Sequence, residues 1–254
     1  MRIQIDARNI DYRELNLKIR DLISQGKRDL FIKNVLGQRY IGGGLKSDSL
    51  ISIEGTPGND LGAFMDGPAL EIYGNGQDGI GNTMNSGKII IHGDAGDILG
   101  YSMRGGDIYI EKSVGWRCGI HMKSFKDKIP SIVIGGSAGN FLGEYMAGGI
   151  IVLLGLHKRP LEYFPYSGRE EITGSNIGTG MHGGAIYLRG KTEEYKIGKE
   201  VRIAELNGED CSILEKFVKR YCNYFNYDPK EIPAGDFIKL IPYSHRPYGK
   251  LYAY

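Results

Sequence analysis

Cysteine is scarce in this 254-residue chain: Cys118, Cys211 and Cys222 form an odd, scattered set. Such a set excludes a disulfide framework. No apolar run approaches the ~18 residues of a membrane-spanning helix, and no secretory hydrophobic segment opens the chain. Blocks of one charge sign are missing as well, because 32 basic residues stand against 30 acidic ones for a net charge of +2. That balance leaves no electrostatic footprint for nucleic acid or a membrane surface. The five histidines, His92, His121, His157, His182 and His245, share no ligand spacing, so no metal centre is expected. These absences predict a soluble, cytoplasmic protein.

What is present is glycine, 39 residues of it, and a repeat. Six of the seven methionines sit in a Gly-x-x-Met-x-[Gly/Ser] motif. The pairs are Gly62/Met65, Gly81/Met84, Gly100/Met103, Gly119/Met122, Gly143/Met146 and Gly178/Met181. The first four recur every 19 residues, and the next steps are 24 and 35. A fixed short period marks a solenoid. After each motif comes a short run whose second and fourth positions are Ile or Leu: Leu70/Ile72, Ile89/Ile91, Ile108/Ile110, Ile132/Ile134, Ile151/Leu153 and Ile186/Leu188. Alternation of this kind predicts strands with one buried face.

One coil is then a turn, a Gly-x-x-Met corner and a strand, with no room for a helix. The Leu and Asn spacing of leucine-rich repeats is absent, as is a six-residue rhythm. The expected fold is all-β: a single-stranded, right-handed parallel β-helix of about seven coils, stacked at ~4.8 Å, with α/β caps at both ends. Residues 1–46 would form the N-terminal cap, 47–190 the β-helix and 191–254 a C-terminal helical segment with a Tyr-rich tail. Glycines serve corners that need positive φ, and the methionines fill the core.

The flanks carry their own signals. Asp11 and Glu14 read as a capping box, with Ile10 and Leu15 as its staple. Leu15, Ile19, Leu22 and Ile23 line a helix that ends at Gly26. Short strands are expected around Leu30–Val35 and Gln38–Ile41. Asn207 can cap a second helix carrying Leu214, Phe217, Val218, Tyr221 and Phe225. Extra residues at 126–130 and between Leu156 and Ser175 predict loops, where partner contacts tend to sit.

Catalytic motifs are not found. Gly81 to Lys88 mimics a phosphate loop but has five residues between its glycines and Ile89 after the lysine. The true motif needs four, then Ser or Thr. No coil concentrates the acidic pairs that carbohydrate-cleaving β-helices use. The outward column of the strands is more informative: Tyr73, Ile90, Tyr109, Val133, Val152 and Tyr187 are all apolar or aromatic. A solvated face would be polar there, so something covers it. Either the chain's own helices lie on this stripe or it docks another subunit.

Gly76 to Asp97 and Gly100 to Gly106 resemble the GxGxG repeat in the C-terminal domain of the glutamate synthase large subunit. Gly119–Lys123, Gly136–Gly149 and Gly180–Gly184 continue the likeness. Gly37–Gly42 and Arg246–Gly249 look like the stand-alone, archaeal-type version. The resemblance implies a β-helix with no catalytic, cofactor-binding or metal-binding residue of its own. Such a domain packs beside glutaminase and flavin-containing synthase subunits and helps hold the route that ammonia takes. Flavin, iron–sulfur cluster and nicotinamide would then belong to partner subunits, and a second copy of the chain is a further candidate partner. The sequence agrees by what it lacks: it opens Met1-Arg2 where the glutaminase has a cysteine, and Cys118 and Cys211 are 93 residues apart. The C subunit of formylmethanofuran dehydrogenase has similar coils and is the alternative. An independent ligand-binding or carbohydrate-active β-helix is another.

If the Met column faces inward, Met103→Lys buries an unpaired charge within the stack. Denaturant unfolding should then show a loss of several kcal/mol, on the scale of the largest single-residue effects. A neutral Met103→Lys would place that column on the outside.

Overall fold

The computed structural model describes residues 2–156 and 171–243. Its elements run β1 (Ile3–Asp6), α1 (Tyr12–Ser24), β2 (Asp29–Leu36), β3 (Leu50–Thr56), β4 (Asp66–Tyr73), β5 (Ser86–Ile91) and β6 (Asp107–Ile110). They continue with β7 (Ser131–Ile134), β8 (Ala147–Leu153), β9 (Gly183–Arg189), β10 (Val201–Ala204), α2 (Gly208–Phe225) and β11 (Phe237–Pro242). All eleven strands form one sheet, ordered β1 through β9 and then β11 and β10. Strands β1 to β9 pair in parallel, each with the next. The chain reverses only at the end, where β11 lies antiparallel to both β9 and β10. A parallel sheet in strict chain order is the β-solenoid that the repeat predicts.

Register follows the alternating pattern. Leu70, Ile89, Ile108, Ile132, Ile151 and Ile186 pair in one unbroken column. The 24- and 35-residue steps therefore lengthen loops without slipping the strands. A slip of one residue would turn every Ile outward. Residues 126–130 fold back as a tight bulge, with the Phe125 and Lys128 backbones exchanging hydrogen bonds of 3.0 Å. Most of the second excursion, 157–170, lies outside the described residues.

The corners explain the glycines. In each Gly-x-x-Met turn the Met N–H donates to the Gly carbonyl at 2.8–3.2 Å. The glycine has φ between +67° and +74°, in the left-handed region. Its own N–H donates back to the preceding coil, as from Gly62 to Ile41 and from Gly100 to Ile80. Space is also tight, since a Cβ on Gly100 would fall 2.5 Å from Cδ1 of Ile132 in the following coil.

The stacking extends beyond the expected 47–190 at both ends. Gly42-Gly43-Gly44-Leu45 is a corner with Leu in the Met place, and the Asp66 N–H bonds back to its Leu45 carbonyl at 2.8 Å. Gly198-Lys199-Glu200-Val201 continues the stack as a related turn, bonded to Ile177 and presenting buried Val201, although neither Gly198 nor Glu200 has the positive φ of the other corners. Gln38–Ile41, expected as a strand, is instead the approach to the first corner. Strands β1 and β10, four residues each, complete the sheet edges where no strand was expected.

Both helices cover the solenoid. The Asp11 side chain accepts from the Arg13 N–H at 2.8 Å to start α1, which buries Leu15, Ile19 and Ile23. In α2 the cap is reciprocal: Asp210 N–H donates to the Asn207 side chain at 2.9 Å and Asn207 N–H to the Asp210 carboxylate at 3.0 Å.

Gly100→Ala combines a disfavoured φ with a displaced Ile132 side chain. Its expected cost is about 1–3 kcal/mol in urea unfolding. Gly26→Ala, at φ +82° with open space around it, should cost less. Equal costs would mean that the inter-coil contact contributes nothing.

Candidate interaction surfaces

All six motif methionines, Met65, Met84, Met103, Met122, Met146 and Met181, lie in the interior with the strand isoleucines. Their glycines, Gly62, Gly81, Gly100, Gly119, Gly143 and Gly178, form the backbone of one stacked corner. The interior of the solenoid is thus filled by side chains. Any functional surface has to be sought outside it.

The outward strand column is the first such surface, and the structure corrects the docking reading. Ile90, Tyr109, Val133, Val152 and Tyr187 are buried in a second core beneath α2, against Leu214, Phe217, Val218, Tyr221, Cys222 and Phe225. This stripe is the seat of the chain's own helix. Tyr73 alone stays outside, 47% exposed. Its ring stacks on His92 at 4.8 Å, and His92 meets the edge of Phe225.

Polar anchors fix α2 in place. Tyr221 donates to the Glu111 carbonyl at 2.7 Å, an approach that Gly135 permits by having no Cβ. Tyr187 donates to the Asp210 carboxylate at 2.6 Å, and Lys239 from β11 pairs with the same oxygen at 2.6 Å. Burial pushes the Tyr109, Tyr187 and Tyr221 phenols well above their ordinary range. Burial acts the same way on the Asp210 carboxyl, but Lys239, Tyr187 and the Asn207 backbone outweigh it and hold the group below its ordinary value. The helix terminus is therefore locked by charge as well as by packing.

The second surface is the outward side of the corners. The third residue of each motif also has positive φ, although it is Phe64, Thr83, Ser102, His121 or Tyr145. Its N–H donates forward to the next coil, as from His121 to Glu144 at 3.0 Å, so the left-handed turn is held from both sides. The larger side chains at this position stand in solvent, Phe64 57% exposed and Tyr145 47%, whereas Thr83 is buried. His121 stacks on Tyr145 at 5.3 Å, and Tyr101 meets it edge-on at 6.0 Å. Tyr40, Ile98 and Trp116 extend the exposed apolar surface. These residues were not singled out from the sequence, although the third motif position is the signal that finds them.

At the N-terminal end, this face and α1 enclose an open groove of about 790 Å³. Its walls include Tyr12, Leu17, Tyr40 and Phe64, with Arg13 and Arg20 alongside. The Arg20 guanidinium donates to the Gly43 carbonyl. No set of three His, Cys, Asp or Glu side chains suited to a metal ion occurs among the described residues. Burial raises the Cys118 thiol far above its ordinary range, so it is not poised as a nucleophile. No helix among the described residues is long and apolar enough to cross a membrane.

Comparison with known proteins fits this architecture. A family model described as the GXGXG motif matches residues 13–241. The uncharacterized protein MJ1350 of Methanocaldococcus jannaschii is 43% identical over 257 residues, covering 98% of this chain and 96% of its own length. Among solved structures, a chain of the formyltransferase/hydrolase complex of Methylorubrum extorquens, crystallised with methylofuran, superposes with a TM-score of 0.57. That match covers 90% of this chain and 86% of the other at 20% identity, and it concerns the fold alone.

Tyr109→Glu places a carboxylate beneath α2. The isolated chain should lose about 3–5 kcal/mol of stability, read by urea unfolding followed in the far ultraviolet. An unchanged midpoint with impaired assembly would return the stripe to the role of a docking site.

Proposed function

The chain belongs to the GXGXG-motif family, and we propose that it is a non-catalytic scaffolding subunit of a multi-subunit glutamate synthase. In this role it positions a glutaminase and a flavin-containing synthase subunit for ammonia transfer in cytoplasmic glutamate biosynthesis. Flavin, iron–sulfur cluster and nicotinamide sit on those partners. The observation that carries the reading is the form of the solenoid. Its interior is closed by the Ile and Met columns and its strand face by α2, while aromatic side chains project from the corner face. Such a body offers surfaces for partners more readily than a pocket for chemistry.

A second reading has its own support. The superposed chain belongs to a formyltransferase/hydrolase complex, so the same fold would serve a one-carbon complex related to formylmethanofuran dehydrogenase. Both readings make the chain a subunit, and they differ in the enzymes it holds.

Affinity purification of the tagged chain from its native cell separates them. The expected result is co-elution with a flavin- and iron-containing protein and with glutaminase activity. Deletion of the gene should abolish glutamine-dependent glutamate formation. Co-elution with formyl-transferring subunits would favour the second reading, and a chain that purifies alone would overturn both.

A further inference from the structure

We propose that the groove between α1 and the first corners is a binding site for a small flat anion, a ligand with an aromatic or conjugated body and a carboxylate or phosphate group. This goes beyond the scaffolding role and assigns the chain no reaction. Three observations carry it.

The first is that the repeat is broken where the groove lies. Later corners place pairs such as Ala63-Phe64 or Tyr101-Ser102 between the leading glycine and the core residue, but the first corner reads Gly42-Gly43-Gly44-Leu45. Gly43 and Gly44 line the groove and bring no side chain to it. A Cβ on Gly44 would come within 3.8 Å of Nη2 of Arg20, on the α1 wall. The groove thus opens where two side chains are missing. Its volume of about 790 Å³ falls within the ~300–1,000 Å³ of small-molecule sites.

The second is the apolar lining. On α1, Arg13, Leu17 and Arg20 recur at steps of four and three residues and so share one face. Tyr40 and Phe64 come from the solenoid side, and all of Leu17, Tyr40 and Phe64 are exposed. The Tyr12 and Tyr40 rings join the two sides, 5.9 Å apart and tilted by 54°. Aromatic side chains arranged in this way offer offset and edge-on contact to a further flat ring.

The third is charge. The Arg13 guanidinium lies 4.9 Å from the centre of the Tyr12 ring, and that of Arg39 lies 5.2 Å from the same ring. Among the described residues, Arg13, Arg20 and Arg39 take part in no ion pair. Arg20 donates to the Gly43 carbonyl, and a guanidinium has five N–H groups to give. The carboxylate in the lining, Asp60, already accepts from the Asn82 amide at 3.1 Å. An excess of positive charge beside an apolar cleft complements an anion, and the planar arginine fork matches carboxylate and phosphate alike.

Equilibrium dialysis of the full chain tests the assignment, with naphthoate and naphthyl phosphate as the anionic probes and naphthalenemethanol as the neutral control. The expected result is one bound anion per chain, held about tenfold more tightly than the alcohol, as a charge-assisted hydrogen bond supplies. The tighter of the two anions identifies the head group. Arg13→Glu should weaken binding by at least about tenfold, and Leu17→Glu should weaken it without touching a corner. Tyr195→Ala, which removes an exposed ring elsewhere, should change nothing. Unfolding midpoints of the three variants, compared with that of the parent chain, separate lost binding from lost fold. Equal affinity for the alcohol and the anions would overturn the proposal, as would binding that survives Arg13→Glu and Leu17→Glu. So would a chain that binds no probe; if Leu17→Glu then also releases partner subunits on affinity purification, the groove holds a segment of a partner instead. The dialysis uses the chain alone, so its outcome does not depend on which enzymes the chain holds.

Discussion

The corner is the constraint on which the rest of this molecule depends. A backbone that turns within about 19 residues per coil has to place two left-handed residues in each Gly-x-x-Met turn. The glycine takes one without strain, and the third residue takes the other at a cost. That cost is offset because the two N–H groups bond in opposite directions, glycine to the coil before and the third residue to the coil after. Each corner is held by its neighbours and holds them in turn, which is the nearest-neighbour stability of a solenoid. Register of the strands, inward placement of the methionines and outward projection of Phe64, His121 and Tyr145 all follow.

Much of this was legible in the sequence for a specific reason. A column of stacked residues repeats one environment many times, so the same residue type recurs and the period shows. The Ile pairs of β4 to β9 and the Met column are such cases, and α2 is legible from Asn207 and the spacing of Leu214, Phe217 and Tyr221. Gly42–Leu45 and Gly198–Val201 were hidden because the column asks only for an apolar side chain, and Leu or Val fills it as well as Met. Strands β1 and β10 are four residues long and draw their definition from the neighbour they pair with. The identity of the cover over Tyr109 and Val133 was hidden for a different reason. Apolarity says that a face is covered, and only geometry says by what.

The two outward surfaces of the coil differ in how they are finished. The strand face is closed by α2, whose apolar side is seated on Tyr109, Val133, Val152 and Tyr187. Its N-terminal carboxylate is neutralised in place by Lys239. A buried ion pair of this kind does not by itself guarantee stability, because desolvation opposes attraction. Here Tyr187 and the Asn207 backbone supply the additional hydrogen bonds that make the geometry favourable. Burial of Asp210 therefore specifies where the helix begins on the sheet. The corner face has no such cover among the described residues, and its aromatic side chains stand in solvent.

That contrast bears on what a repeat can do. Catalysis brings unlike groups together at one point, a nucleophile beside a base beside an anion-stabilising donor. Stacking instead lines up like groups along an axis, Met on Met and Ile on Ile. Distinct chemistry is therefore confined to places where the repetition breaks, which here are the excursions after Ser124 and Leu156, the groove beside α1 and the two ends. None of these gathers a metal-binding trio among the described residues. What the regular part offers is an outward corner face on which Phe64, Tyr101, His121 and Tyr145 stand exposed between smaller residues. A face of that kind suits an extended chain or a flat partner surface better than a small substrate, because its exposed rings are spread along the stack rather than gathered at one point. Recognition along an axis, with the coil number setting its length, is the property that this fold supplies most directly.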